Sequence, residues 1–116
     1  MSGSDEEIYA VADFCLIPMG TGEPSVGPYI AECHRVLEKS GLTFKVRGYG
    51  TNLEGPWDAV CAAIGDCHLA VHKQGAPRIA TDIRIGTRTD KVLAPGTGNE
   101  SKLRRVQEIL AADKKE

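Results

Sequence analysis

The sequence predicts an α+β domain of ferredoxin-like type: a βαββαβ sandwich with a four-stranded antiparallel sheet, two helices on one face and an extra C-terminal helix. Three observations lead there. The first and last sheet segments alternate apolar residues with period two, two segments carry apolar residues at helical spacing, and a glycine-rich turn splits the middle of the chain into a hairpin. The 116 residues suit one domain over 8–112, between a disordered N-terminal tail at 1–7 and a charged tail at 113–116.

Ile8 to Met19 reads as a strand apolar on both alternating sets: Ile8, Ala10, Ala12, Phe14 and Leu16 on one, Tyr9, Val11, Cys15 and Ile17 on the other, with Asp13 the exception. A strand of that kind is covered on both faces. Gly20 to Pro24 breaks the pattern, and Ser25 or Gly27 is the expected cap of a helix that has Pro28 in its first turn and stops at Ser40-Gly41. Leu42 to Gly50 is the second strand and Thr51 to Glu54 a short third one. A second helix from Pro56 or Trp57 to Gln74 puts Trp57, Val60, Cys61, Ile64, Cys67, His68 and Val71 on one stripe. Arg78 to Thr89 is the fourth strand, with Ile79, Thr81, Ile83 and Ile85 against Arg78, Asp82, Arg84 and Arg88. Leu103, Val106, Ile109 and Leu110 mark the closing helix. Two helices cover one face only, so the apolar second face of the first strand predicts packing of sheet on sheet in a homo-oligomer.

Composition narrows the function classes. A net charge of −2 and no basic stripe interleaved with aromatics argue against a nucleic-acid partner. No segment reaches the roughly 18 apolar residues of a membrane span, and residues 1–7 lack a secretory leader, so a soluble, cytoplasmic protein is expected. Cys15, Cys33, Cys61 and Cys67 lie among apolar residues on element faces and are read as reduced, buried thiols.

Three runs carry a resemblance: Asp13 to Thr21, Gly50 to Asp58, and Thr81 to Asp90. Together they resemble the small ferredoxin-like thiamine-binding proteins, the third run looking most like the fungal branch. The resemblance implies a subunit that forms dimers pairing into a tetramer, with binding of thiamine or its hydroxymethylpyrimidine moiety proposed for some members; it does not imply a catalytic activity, and neither an enzyme nor a cofactor is expected. Asn52 stands where a small hydroxyl residue is expected in many relatives.

On that reading Glu54 meets the ring nitrogen or amine of a pyrimidine, Thr51 and Asn52 add hydrogen bonds, and Met19, Thr21 and Trp57 supply the rest of the lining. The plainer role for Glu54 is to cap the helix that follows it. Arg84 and Arg88 have the fork chemistry to grip a sulfate or phosphate, or else they form ion pairs between subunits with Asp13, Asp82 or Asp90. Cys61, His68 and His72 run along three helical turns, too long a line to close on one metal ion, and His68 reads as a hydrogen-bonded core histidine. Two other classes stay open: an oligomer scaffold without a vitamin ligand, and an enzyme or binder acting on a phosphorylated or anionic metabolite through the two arginines.

Overall fold

The elements run β1 (Tyr9–Met19), α1 (Gly27–Ser40), β2 (Thr43–Val46), β3 (Thr51–Pro56), α2 (Trp57–Lys73), β4 (Arg78–Gly86) and α3 (Gly98–Asp113), in a computed structural model that describes residues 7–114. The expected tails fall outside the described residues at 1–6 and 115–116. The sheet has the order β2-β3-β1-β4 with every neighbour antiparallel, which is the ferredoxin-like arrangement that the alternation and hairpin predict.

Strand parity sorts the two faces. Ala10, Ala12, Phe14 and Leu16 of β1, with Leu53 opposite Ala12, pack with Leu37, Val60, Cys67 and Val71 of α1 and α2 in the core. Leu37, Leu53, Val60 and Val71 are wholly buried, each contributing roughly 1.5–3 kcal/mol of transfer free energy. Beyond Phe14, β1 outruns β3 and pairs with β4 alone as far as Met19. Pro18 lies in this one-sided stretch, where its missing N–H interrupts no ladder with β3.

Several local expectations shift. Val26, not Ser25 or Gly27, is the N-cap of α1, and Ser25 Oγ accepts from the Gly27 N–H at 3.3 Å. Only Thr43–Val46 of the expected 42–50 strand is paired. β3 continues to Pro56 because β1 offers partners as far back as Tyr9. Pro56 therefore caps α2 instead of entering it. The buried stripe of α2 is Val60, Ala63, Ile64, Cys67 and Val71. Trp57, Cys61 and His68 lie roughly 60–100° round the helix from its centre, leaving Trp57 and Cys61 exposed and His68 half-buried; of the four cysteines expected to be buried, Cys33 and Cys67 are, while Cys15 is half-buried and Cys61 exposed. β4 ends at Gly86, short of Thr89.

The first turn of the third helix lies on the face opposite α1 and α2, and the helix is exposed from Lys102 onward. Its first residue, Gly98, sits on Val11 and Glu54, both of which point away from the core. Val11 is thereby buried, while Ile17 further along the same face is 39% exposed. The apolar second face of β1 is thus covered at one end by the chain's own C-terminal helix. Leu103, Val106, Ile109 and Leu110 of α3 remain exposed.

Candidate functional site

Where β1 runs on past β3, the turn between β2 and β3 and the start of α1 wall in a cavity of about 250 Å³. Phe14, Leu16, Ile17, Val26 and Ile30 make it apolar, and Thr51, Cys15, Arg47 and Tyr49 add polar groups. Its shape depends on Gly50. This residue has φ +84°, and a Cβ there would stand 2.8 Å from the Phe14 carbonyl oxygen. The hairpin can fold this closely onto β1 only with a glycine at that position. The next residue, Thr51, is 6% exposed and lines the cavity from the helix side of the sheet. Tyr49, at the tip of the turn, is fully exposed at the rim.

Glu54 has a different environment. Its Oε1 accepts from Tyr9 Oη at 2.8 Å and from the Gly98 N–H at 2.6 Å, and its Oε2 from the Asn99 N–H at 2.9 Å and Asn99 Nδ2 at 3.2 Å. Gly98 and Asn99 open α3, so two N–H groups that a helix leaves unpaired end on one carboxylate. Burial pushes the Glu54 carboxyl up, but the Asn99 and Gly98 amides, with the Tyr9 hydroxyl and the Asn99 side chain, outweigh it and hold the group below its ordinary value. Tyr9 is pushed up by burial, against the Gly96 N–H it accepts at 2.7 Å and with the added influence of the Glu54 charge. The Gly98 backbone comes so close that a Cβ would lie 2.5 Å from Val11 Cγ2 and 3.0 Å from Glu54 Oε1. The carboxylate acts as a cap, though of a helix 44 residues away in sequence and not of α2.

Asn52 joins this second cluster, accepting from Arg47 Nε at 2.7 Å and donating to Asn99 Oδ1 at 3.2 Å. Alternation along a strand puts Thr51 on one face and Asn52 and Glu54 on the other, so the three do not converge. Met19 is half-buried at the end of β1, opposite Arg78. Thr21 donates to the Glu23 carbonyl at 3.3 Å, beside a separate polar depression. Trp57 opens α2. Arg84 faces Asp13 in register on the open face. Arg88, beyond the end of β4, pairs with Asp90 through its Nε and Nη2, and this guanidinium holds the Asp90 carboxyl down at about 2. His68 Nε2 shares a 2.5 Å hydrogen bond with Thr81 Oγ1. Among the described residues no group of three His, Cys, Asp or Glu side chains is placed to hold a metal.

Sequence reasoning missed Tyr9, Gly98 and Asn99 at the carboxylate, and Arg47, Tyr49 and Ile30 at the cavity. The run Gly96-Thr97-Gly98-Asn99 before an apolar-periodic segment was the available signal for a helix start that needs an acceptor from elsewhere.

Fold and cavity together define a class, the ferredoxin-like α+β subunit with an apolar cavity at one end of its sheet. A family model described as thiamine-binding protein matches residues 12–111. The chain belongs to the thiamine-binding protein family. A UPF0045 protein of Synechocystis sp. is 52% identical over 81 residues, 70% of this chain and 66% of the relative, so the chain spans just under two thirds of that protein. A fungal UPF0045 protein, from Eremothecium gossypii, is 40% identical over 85 residues, 73% of this chain and 81% of its own length. Among solved structures, a hypothetical protein of Methanocaldococcus jannascii superposes with a TM-score of 0.74 at 30% identity over 86% of this chain and 97% of that one. A candidate thiamine biosynthesis/salvage protein of Thermotoga maritima shares the fold, with a TM-score of 0.64 at 12% identity over 80% and 98%. No helix among the described residues is long and apolar enough to cross a membrane.

Proposed function

We propose that this protein binds a small metabolite without transforming it, and that the ligand is the hydroxymethylpyrimidine moiety of thiamine or its phosphate, held in the cavity beside Thr51. The observation that carries the reading is the cavity itself: apolar walls, one buried hydroxyl and an exposed aromatic at the rim, the composition expected of a small-molecule site. Its volume of about 250 Å³ is below that of drug-sized ligand pockets, which begin near 300 Å³, and suits one substituted ring better than two. Arg47 at the wall disfavours a cationic thiazolium and favours a phosphate. Thr51 hydrogen-bonds the aminopyrimidine and Tyr49 lies against the ring, while Asn52 and Glu54 shape the neighbouring wall through Arg47 and α3. The names of the family and of the Thermotoga maritima structure support the ligand class. We read the assembly as a cytoplasmic homotetramer, a dimer of dimers, supported by the part of the open sheet face around Ile17 that α3 leaves bare.

Isothermal titration with hydroxymethylpyrimidine, its phosphate and thiamine tests this. Binding should rank the pyrimidines above thiamine, and Thr51→Val, by removing a hydrogen bond of roughly 0.5–1.5 kcal/mol, should weaken it about two- to tenfold. Absence of heat with all three ligands would replace the reading by that of an oligomer scaffold.

A further inference from the structure

We propose that Asn52 is a positioning residue for an anionic ligand group, a role that rests on the cavity beside Thr51 being the ligand site. Asn52 holds the Arg47 guanidinium at the cavity wall and, through Asn99, ties that hold to the docked start of α3. Arg47 lines both the cavity and a smaller depression of about 130 Å³, which Asn52, Glu54 and Asn99 also line. It therefore stands between the site and the helix joint. Its backbone N–H donates to the Gly50 carbonyl at 2.9 Å and closes the turn that carries Tyr49. Lys45 lies directly across from Asn52, and Arg47, two residues on, is the diagonal neighbour on the same face.

Four side chains form one series of hydrogen bonds that runs in a single direction. Arg47 Nε donates to Asn52 Oδ1 at 2.7 Å, Asn52 Nδ2 to Asn99 Oδ1 at 3.2 Å, and Asn99 Nδ2 to Glu54 Oε2 at 3.2 Å. The two ends dictate that polarity. A guanidinium only donates and an ionised carboxylate only accepts, so each amide between them has one orientation that satisfies both neighbours. A hydroxyl residue at 52 would have one polar atom for two partners, whereas the amide has one for each. With Nε engaged, Nη1 and Nη2 keep their donors, and among the described residues no carboxylate pairs with this guanidinium. Donors on a fixed planar fork match the oxygens of a phosphate monoester. A ligand that engages them favours the state in which Arg47 is held, and in that state α3 is docked. By linkage, docking of α3 favours the ligand by the same factor.

Titration of wild type, Asn52→Ala and Asn99→Ala with hydroxymethylpyrimidine phosphate and with hydroxymethylpyrimidine tests this role. Asn99→Ala keeps the main-chain N–H that Glu54 accepts, so the helix start retains its cap. Each variant should bind the phosphate at least about fivefold more weakly than wild type and the unphosphorylated pyrimidine within about twofold of it, which also shows the fold to be intact. Hydrogen exchange supplies a second readout. Saturating phosphate ester should raise protection of the Gly98 amide at least about threefold in wild type and leave it unchanged in Asn99→Ala. A residue that only braced the turn would weaken both ligands alike and leave Gly98 unmoved. Unchanged affinity of both variants for the phosphate, equal losses for the two ligands, or a Gly98 amide indifferent to the phosphate would overturn the role of Asn52 and leave the cavity as the ligand site. Binding of neither compound by wild type would overturn the reading of the cavity and this role with it.

Discussion

Replacing Glu54 by Gln preserves shape and removes one charge from the joint between the sheet and α3. The carboxylate now accepts four hydrogen bonds, at 2.8 and 2.6 Å on one oxygen and 2.9 and 3.2 Å on the other. A Gln amide offers one oxygen to two of those donors and turns its own N–H groups toward the other two. Hydrogen bonds to charged groups contribute roughly 1.5–3 kcal/mol each and neutral ones about 0.5–1.5. The lost attraction of an anion for the N-terminus of α3 adds about 0.3–1 kcal/mol. Two bonds lost and two weakened amount to at least about 4 kcal/mol of docking free energy for α3. Hydrogen exchange read at individual amides is the direct assay. Protection of the Gly98 and Asn99 amides should fall about a thousandfold, while amides of the β1–β3 ladder, held by the core, change far less. Protection at Gly98 and Asn99 within threefold of wild type would refute the assignment. If α3 stayed docked and pyrimidine binding vanished, Glu54 would be a ligand contact after all.

The same joint predicts a pH window. Glu54 titrates below its ordinary 4.5 in the folded state, so its contribution is present above about 4.5 and is lost as pH falls through the lower folded value. Tyr9 titrates above its ordinary 10, so its contribution is complete below about 10 and is lost as pH rises through the higher folded value. Protection of the Gly98 amide should hold between these limits and decline outside both; a flat profile down to pH 3 would contradict the acid arm. Gly98→Ala should undock α3 as well, since the added methyl meets Val11 Cγ2 at 2.5 Å. It should lower the urea midpoint by an amount typical of overpacking, about 1–3 kcal/mol in stability, and a midpoint equal to wild type would show that Val11 yields.

Most of the sandwich was legible because periodicity is a local property. Ala10, Ala12, Phe14 and Leu16 announce a strand face in four alternate positions, and Val60, Ile64, Cys67 and Val71 announce a helix face. The candidate site was less legible for two physical reasons. Gly55 and Pro56 look like punctuation, yet both lie in the strand, since β1 reaches back to pair with them. The partners of Glu54 lie 44 and 45 residues downstream, and no local spacing encodes that contact. Thr51 and Glu54 were read as one cluster although strand geometry alone assigns them to opposite faces once the residues are known to be extended. The cavity beside Thr51 arises from unequal strand lengths, which depend on where pairing stops.

The position of Glu54 has a consequence for how the chain is made. During synthesis the sheet and both core helices emerge before α3, and until then the carboxylate lies on an open face with the Tyr9 hydroxyl and water as its partners. A charge placed in the core would oppose folding until its partners arrived; here the intermediate stage has no uncompensated ion. The C-terminal helix can accordingly be released and recaptured without a desolvated charge being stranded, so truncation or replacement of this last segment leaves the first six elements free to fold.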